Sequence, residues 1–359
     1  MEKKINIAWA GWGTGGHVFP IKSLIQYLDS TDKKKNVWKM FWFWKKNSLE
    51  EENYKSLKKW IDNLYFVPIF SGKRRRDKSF QSFIKNLWDL FLFWVGILQS
   101  MYYLLKYKIN VVFCKWWYVA LPVVVAAKIL KKRIVVHESD VHPWLVNNIA
   151  SKFAYKVFTW FDNVFKNAET IGQILSEDLL PKGEKNLSKK TTVLVMWGSQ
   201  GSKNLYESLI KLLRDTPDLQ DFDFKIVLWK LNQELREQFS SFKNVECFDF
   251  LSQKEIGANY YLCDIAITRA GTTSLAEQEL FDLKLIMVPI PRTHDQLDNA
   301  KRYVEHKNGI LVQQDDVKFM EKLKESILSL KGFKKKLNER DRKKEIATAK
   351  NKILESILE

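Results

Sequence analysis

Glycine is scarce in this chain. Its 359 residues include 14 glycines, where the usual share of about 7% would give roughly 25. Tryptophan, ordinarily the rarer residue, also numbers 14. Cysteine is scarcer still: Cys114, Cys247 and Cys263 lie far apart with no C-x-x-C pair. That spacing excludes a disulfide framework and a cysteine-rich zinc module, and it fits a reducing, cytoplasmic compartment. No run approaches the roughly 18 uninterrupted apolar residues of a membrane span. The longest candidate, LFLFWVGIL (90–98), is flanked by Asp89 and Gln99 and is too short to cross a bilayer alone. The first residues enter a strand pattern directly, so no targeting segment is expected.

What is present points to a globular chain of two domains. Hydrophobic residues make up 46% and charged residues 28%, a balance that buries a core and excludes disorder. The 59 Lys and Arg against 42 Asp and Glu give a net charge of +17, which favours anionic partners such as nucleic acid, acidic lipid or phosphorylated substrates. No nucleic-acid motif accompanies the basic residues, and nucleic acid is not expected as a partner.

Short β-branched runs alternate with helical patterns. INIAWA precedes a helix with Ile21, Leu24, Ile25 and Leu28 on one face, and VVF (111–113) and RIVVHE (133–138) read as buried strands. Residues 165–190 lose the periodicity and read as a linker containing Pro181 and Gly183. The series restarts at TTVLVM, followed by a helix with Leu205, Leu209, Leu212 and Leu213, and by the strands FKIVL, DIAIT and LIMVPI. The expected fold class is α/β, with two parallel-sheet domains facing a cleft: 1–165, and 166–342. A helix of about 343–359 would be free to pack back on the first domain, although its lysine content suggests a solvated face.

Several segments carry chemistry. GTGGH follows the first strand and opens a helix, and WGSQGS (197–202) does the same after VLVM. Glycines allow close backbone approach, while a helix N-terminus offers N–H groups to an anion. In TRAGTTSLAEQELF, Ser274 and Glu277 fit the S-x-x-E capping box, and Glu277 alternatively accepts hydrogen bonds from sugar hydroxyls. RTHDQLDNAKRY sets Gln296 and Asn299 on one helical face. His17, at the glycine-rich helix start, suits a general base near neutral pH.

Taken together, GTGGHVFP, HESDVHPWLVNNIA, WGSQGS, TRAGTTSLAE and DQLDNA resemble the MurG family in order and spacing over most of the chain. The resemblance implies an inverting glycosyltransferase of the GT-B fold, with two Rossmann-like domains. It implies transfer of GlcNAc from UDP-GlcNAc to the 4-hydroxyl of undecaprenyl-diphospho-MurNAc-pentapeptide, converting lipid I to lipid II in peptidoglycan synthesis. The enzyme would sit peripherally on the cytoplasmic side of the cell membrane and need no cofactor and no metal. Two alternatives stand beside it: another GT-B synthase moving a sugar from UDP to a glycolipid such as diacylglycerol, and a non-catalytic relative that binds nucleotide sugar or lipid.

By position, the resemblance implies that Thr14, Gly15 and Gly16 line the space between donor and acceptor, with His17 as the first candidate acid/base group and Glu138 as the second. Asn147 would touch the donor sugar, Ser199 the donor phosphate and Leu251 the uracil. Thr272, Thr273, Ser274, Leu275, Ala276 and Glu277 would bind UDP, with Glu277 on the ribose, and Gln296 and Asn299 would hold the GlcNAc hydroxyls. Where many members carry Arg after a G-N-P turn, this chain reads IGQILSE with Ser176. Serine cannot supply a bidentate guanidinium fork, which leaves compensation to a nearby lysine. Arg74, Arg75 and Arg76, beside the apolar helix of 72–105, suit lipid phosphates on an anionic membrane surface. The other reading of that helix places Leu87, Leu90, Phe91 and Trp94 in the core.

The missing glycines and surplus tryptophans share one explanation. Against the family pattern, Trp12, Trp116, Trp117, Trp144 and Trp197 stand in glycine positions, and Trp44, Trp60 and Trp160 fit the same set. An indole there fills the space a diphosphate needs and disfavours the backbone conformations that glycine permits. The expectation is that these positions are UGA codons which the source organism reads as glycine; the alternative is a divergent or inactive relative with true tryptophans.

Overall fold

The computed structural model describes residues 4–11, 15–44, 49–72, 79–115, 120–181, 188–198, 202–291, 294–307, 309–337 and 341–359. It separates into two compact units, Met1–Ile174 together with Glu345–Glu359, and Leu175–Lys344.

The first unit runs β1 (Ile5–Ala10), α1 (Gly15–Ser30), β2 (Val37–Trp44), α2 (Leu49–Lys58), β3 (Leu64–Pro68), α3 (Phe80–Lys106), β4 (Val111–Cys114), α4 (Ala120–Ile129), β5 (Arg133–Glu138), α5 (Leu145–Ser151), β6 (Lys156–Thr159) and β7 (Glu169–Thr170). The second runs β8 (Thr191–Met196), α6 (Lys203–Asp215), β9 (Phe222–Val227), α7 (Arg236–Ser240), β10 (Val245–Phe248), α8 (Gln253–Leu262), β11 (Ile265–Thr268), α9 (Thr272–Leu280), β12 (Lys284–Met287), α10 (His294–His306), β13 (Gly309–Leu311) and α11 (Phe319–Leu328). The last helix, α12 (Arg342–Leu358), returns to the first unit.

Each unit has one sheet, ordered β3-β2-β1-β4-β5-β6-β7 and β10-β9-β8-β11-β12-β13. The described pairings are parallel, as in Ile7 opposite Val111 and Val193 opposite Ile265. β1 and β8 are buried at all six positions, which is why they read as nearly continuous apolar runs: helices cover both faces of a parallel sheet. Strand order reverses between β1 and β4 in the first unit and between β8 and β11 in the second. Ligands of open α/β sheets bind beyond the carboxyl ends of the strands at such reversals.

One side of the first sheet packs Ile21, Leu24, Ile25 and Leu28 of α1 together with Ile353, Leu354 and Ile357 of α12. α12 is therefore half core, and its lysines do not make it a free solvated helix; Lys350 itself is buried. The other side packs Ile97 and Leu104 of α3 with Val123, Val124 and Ala127 of α4. Gly96 lets α3 approach closely: a Cβ there would lie 2.1 Å from the Phe70 carbonyl oxygen.

Two expectations change here. Ile84, Leu87, Leu90, Phe91, Trp94, Leu98, Tyr102 and Leu105 are more than half exposed, so the core reading of Leu87, Leu90, Phe91 and Trp94 fails. Ile84–Lys106 is also long and apolar enough to cross a bilayer by length and composition, at 23 residues; isolated Gln, Ser and Lys residues broke the run in the sequence. Residues 165–190 are not a plain linker either. They hold β7 and a 3-10 turn, Glu177–Leu179, whose Leu179 is buried. Gly257 of α8 makes room for that turn, since a Cβ would lie 1.8 Å from the Leu179 carbonyl oxygen.

Candidate active site

In the first unit, β1 feeds through Gly11 into α1, whose first residues are Gly15, Gly16 and His17. Thr14 lies outside the described residues, as does the His17 side chain. Beside this helix start, the carboxyl ends of β4 and β5 carry a buried polar network. The Lys115 ammonium donates to His137 Nδ1 at 2.8 Å, Ser139 Oγ at 2.6 Å and Gln173 Oε1 at 3.2 Å. His137 Nε2 donates to the Gly172 carbonyl at 3.0 Å. Ser139 Oγ passes its own proton to Gln173 Oε1 at 3.1 Å.

Glu138 lies against this network. Its Oε1 accepts from the backbone N–H of Ser139 at 2.6 Å and of Asp140 at 3.0 Å, and its Oε2 from the Asn147 amide at 3.1 Å. Burial, and then the Asp140 charge, push its carboxyl up to about 7, which suits a proton acceptor near neutral pH. Burial pulls Lys115 down to about 8 against the pull of Glu138, Asp140 and Cys114. Burial and the Lys115 charge hold His137 well below its usual 6.5. Asn147, fully buried on α5, spans the Glu138 carboxylate and the His137 carbonyl. Ser176 accepts from the Asp178 N–H at 3.2 Å and caps the 3-10 turn.

In the second unit, Trp197 follows β8 and is 2% exposed, with Arg269 over its ring at 5.9 Å. Arg269 donates to the carbonyls of Val288 and Pro289 and to Gln314 Oε1, and burial lowers it to about 10. Ser199 lies outside the described residues. After β11 the chain turns through Ala270 at φ 59° and enters α9 at Thr272 with Gly271 as its N-cap and no side-chain cap. The Ser274–Glu277 capping box does not form, because the helix starts two residues before Ser274 and places it inside the first turn. Glu277 instead accepts from the Tyr260 hydroxyl at 3.1 Å, and burial lifts its carboxyl to about 7. The capping box is on α8, between Ser252 and Glu255, directly after buried Leu251.

Thr272, Leu275 and Ala276 are buried, and Thr273 and Ser274 half-buried, in the first turns of α9. On α10, Gln296 Oε1 accepts from the Ile290 N–H at 3.0 Å and Asn299 is 1% exposed. Arg74, Arg75 and Arg76 lie outside the described residues. Sequence reasoning passed over Lys115, Gln173, Tyr260 and Arg269. A charged residue closing an apolar strand, as in VVFCK or IAITR, was the signal for two of them.

The models of the glycosyltransferase family 28 N-terminal and C-terminal domains match residues 7–159 and 192–357. A UDP-N-acetylglucosamine–N-acetylmuramyl-(pentapeptide) pyrophosphoryl-undecaprenol N-acetylglucosamine transferase from Borrelia garinii subsp. bavariensis is 32% identical over 356 residues, covering 95% of this chain and 91% of that protein. The chain belongs to the MurG family. A transferase of the same name from Staphylococcus carnosus is 30% identical over 83% of this chain and 81% of its own. The crystal structure of Acinetobacter baumannii MurG superposes with a TM-score of 0.71 at 21% identity, over 96% of this chain and 93% of that one. The calicheamicin glycosyltransferase CalG4 superposes with a TM-score of 0.67 at 12% identity, over 98% and 95%. This MurG-family chain is thus a glycosyltransferase of the GT-B fold.

Proposed function

We propose that the chain transfers GlcNAc from UDP-GlcNAc to the 4-hydroxyl of undecaprenyl-diphospho-MurNAc-pentapeptide, forming lipid II for peptidoglycan synthesis. The observation that carries this reading is the match to named transferases of this specificity along nearly the whole length of both chains. The acceptor oxygen attacks the anomeric carbon in line, the bond to the UDP oxygen breaks with inversion, and the hydroxyl proton passes to His17 or Glu138. The N-terminus of α9 faces the departing diphosphate and Glu277 accepts the ribose hydroxyls, so the leaving group is stabilised by backbone dipoles. The test is turnover of UDP-GlcNAc with lipid I against diacylglycerol. Transfer to lipid I supports the reading; transfer to diacylglycerol alone makes the chain a glycolipid synthase, and UDP-GlcNAc binding without transfer makes it a binding protein.

The exposed stripe on α3 supports peripheral attachment to the cytoplasmic membrane face, with Arg74 to Arg76 on lipid phosphates. Large apolar side chains exposed side by side along one helix are the kind of patch that marks a membrane or protein contact. Binding to anionic vesicles that weakens with salt is expected; absence of binding at every salt concentration refutes it.

A second reading concerns the polypeptide itself: glycine occupies Trp12, Trp116, Trp117, Trp144 and Trp197, together with Trp44, Trp60 and Trp160. Trp229, outside that set, supports the idea. Its backbone lies at φ 57°, ψ 165°, a region that is essentially glycine-only and costs another residue about 1–3 kcal/mol. An indole N–H buried without an acceptor does not mark the set by itself, since Trp9 within β1 and Trp42 within β2 share it with Trp44, Trp197 and Trp229. The last three follow or close strands at the ligand end of a sheet. Trp60, by contrast, is 84% exposed. Peptide mass spectrometry across 111–131 and around 229 decides: glycine masses support recoding, and tryptophan masses, or UGG codons in the gene, overturn it.

A further inference from the structure

The hydrogens of the Lys115 network follow from groups that can only donate or only accept, and the one group left over is the Gln173 Nε2 amide, buried with no partner. The Gly172 carbonyl only accepts, so His137 Nε2 carries the proton and Nδ1 of the neutral ring offers a lone pair. Ser139 gives its hydroxyl proton to Gln173 Oε1, so Oγ accepts. Gln173 Oε1 receives a third donor, the N–H of Ile174 at 3.2 Å, which settles which end of the amide is oxygen. Three acceptors therefore point at Lys115 Nζ, and satisfying them takes all three protons of a charged ammonium.

The segments tied in this way are the end of β4, the H-E-S-D stretch that closes β5 and continues past it, and the Gly172–Ile174 segment where the chain leaves the first unit. A lysine 1% exposed loses the hydration of its charge, and burial is tolerated only with a full complement of partners. We propose that Lys115 is a positioning residue of the first unit: its ammonium locks His137 as the neutral Nε2–H tautomer and pins residues 172–174 to the segment that aims the Glu138 carboxylate.

The titratable groups facing the ammonium are Glu138 at the end of β5, Asp140 beyond it and Cys114 on β4, with His137 neutral beside it. As pH rises through about 8, Lys115 loses a proton and one of the three acceptors loses its donor. The pin loosens in alkali. His137 cannot serve as the base of the reaction, because its free lone pair is already spent on Lys115.

The kinetic part of the test rests on the transfer proposed above; the histidine readout does not. In protein with 15N-labelled histidine, His137 should show the Nε2–H tautomer at about pH 7. In Lys115→Met, which keeps the length and removes the donors and the charge, His137 should titrate at a higher pH than in wild type, while burial still holds it below its usual 6.5. kcat with lipid I should fall about 100-fold, as displacement of a catalytic segment does, with KM for UDP-GlcNAc unchanged. Ser139→Ala removes one acceptor and makes a milder variant, should Lys115→Met not fold; it should move the alkaline limb of the rate profile to lower pH. An unchanged His137 titration and kcat in Lys115→Met, or an unmoved limb in Ser139→Ala, overturns the proposal. A wild-type protein that shows the tautomer yet does not turn over lipid I overturns the proposed function and leaves the positioning role standing.

Discussion

Replacing Glu277 by Gln should stabilise the protein and weaken its hold on UDP. In the folded chain, burial lifts this carboxyl from 4.5 to about 7, and at about 1.4 kcal/mol per tenfold change in proton affinity the cost of holding it ionised is about 3 kcal/mol. The sign follows from the direction: a carboxyl raised above its unfolded value contributes stability in full below about 4.5 and loses it as pH rises through about 7. Glutamine keeps an oxygen that accepts from Tyr260 and carries no charge to desolvate, and a turn of the Gln253 amide, which now donates to the carboxylate, presents its unpartnered oxygen to the new amide protons. Thermal unfolding should therefore find Glu277→Gln level with wild type at about pH 4 and more stable by about 3 kcal/mol at about pH 8. Calorimetry should find UDP bound about 10- to 100-fold more weakly, the worth of a charged hydrogen bond of about 1.5–3 kcal/mol. A variant that is less stable than wild type at both pH values refutes the reasoning, since it would mean that the carboxylate is fully solvated by its partners.

Three further outcomes are expected. Ser252→Ala removes the α8 capping box and should cost about 1 kcal/mol, read as a lower unfolding midpoint with UDP affinity retained. Ile353→Ala opens a cavity where α12 meets the first sheet and should cost about 2–5 kcal/mol, seen in hydrogen exchange as loss of protection in β1 and α1 before the second unit. A chelator should leave the transfer rate unchanged, because the leaving diphosphate is met by helix dipoles; a rate restored only by added divalent metal would contradict this.

The parallel strands were legible because a strand buried on both faces is mostly apolar; INIAWA and TTVLVM depart from this only at Asn6, Thr191 and Thr192, which are buried polar residues. Helices with one clear stripe, such as that of Ile21, Leu24, Ile25 and Leu28, were legible for the matching reason. The return of α12 to the first unit agrees with one of the two readings of 343–359, and the solvated reading failed because lysine stems can lie along a buried face. The S-x-x-E pattern at Ser274 was local and correct in form, but Gly271 starts the helix earlier and frees Glu277 for Tyr260. The partners of Lys115, Gln173 and Tyr260 were hidden for a different reason: they lie 17 to 58 residues away, and only the crossover topology brings them together.

The return of α12 to the first unit also sets an order of events at the ribosome. The second unit is synthesised entirely between the two parts of the first, so its sheet and helices can close while the chain is still growing. The face of the first sheet that receives Ile353, Leu354 and Ile357 stays uncovered until residues 345–359 have been made and have cleared the exit tunnel. Apolar surface held open through that interval is a target for chaperones and a source of aggregation. Messages interrupted shortly before codon 345 should yield chains whose later-made unit is folded and whose first-made unit is not.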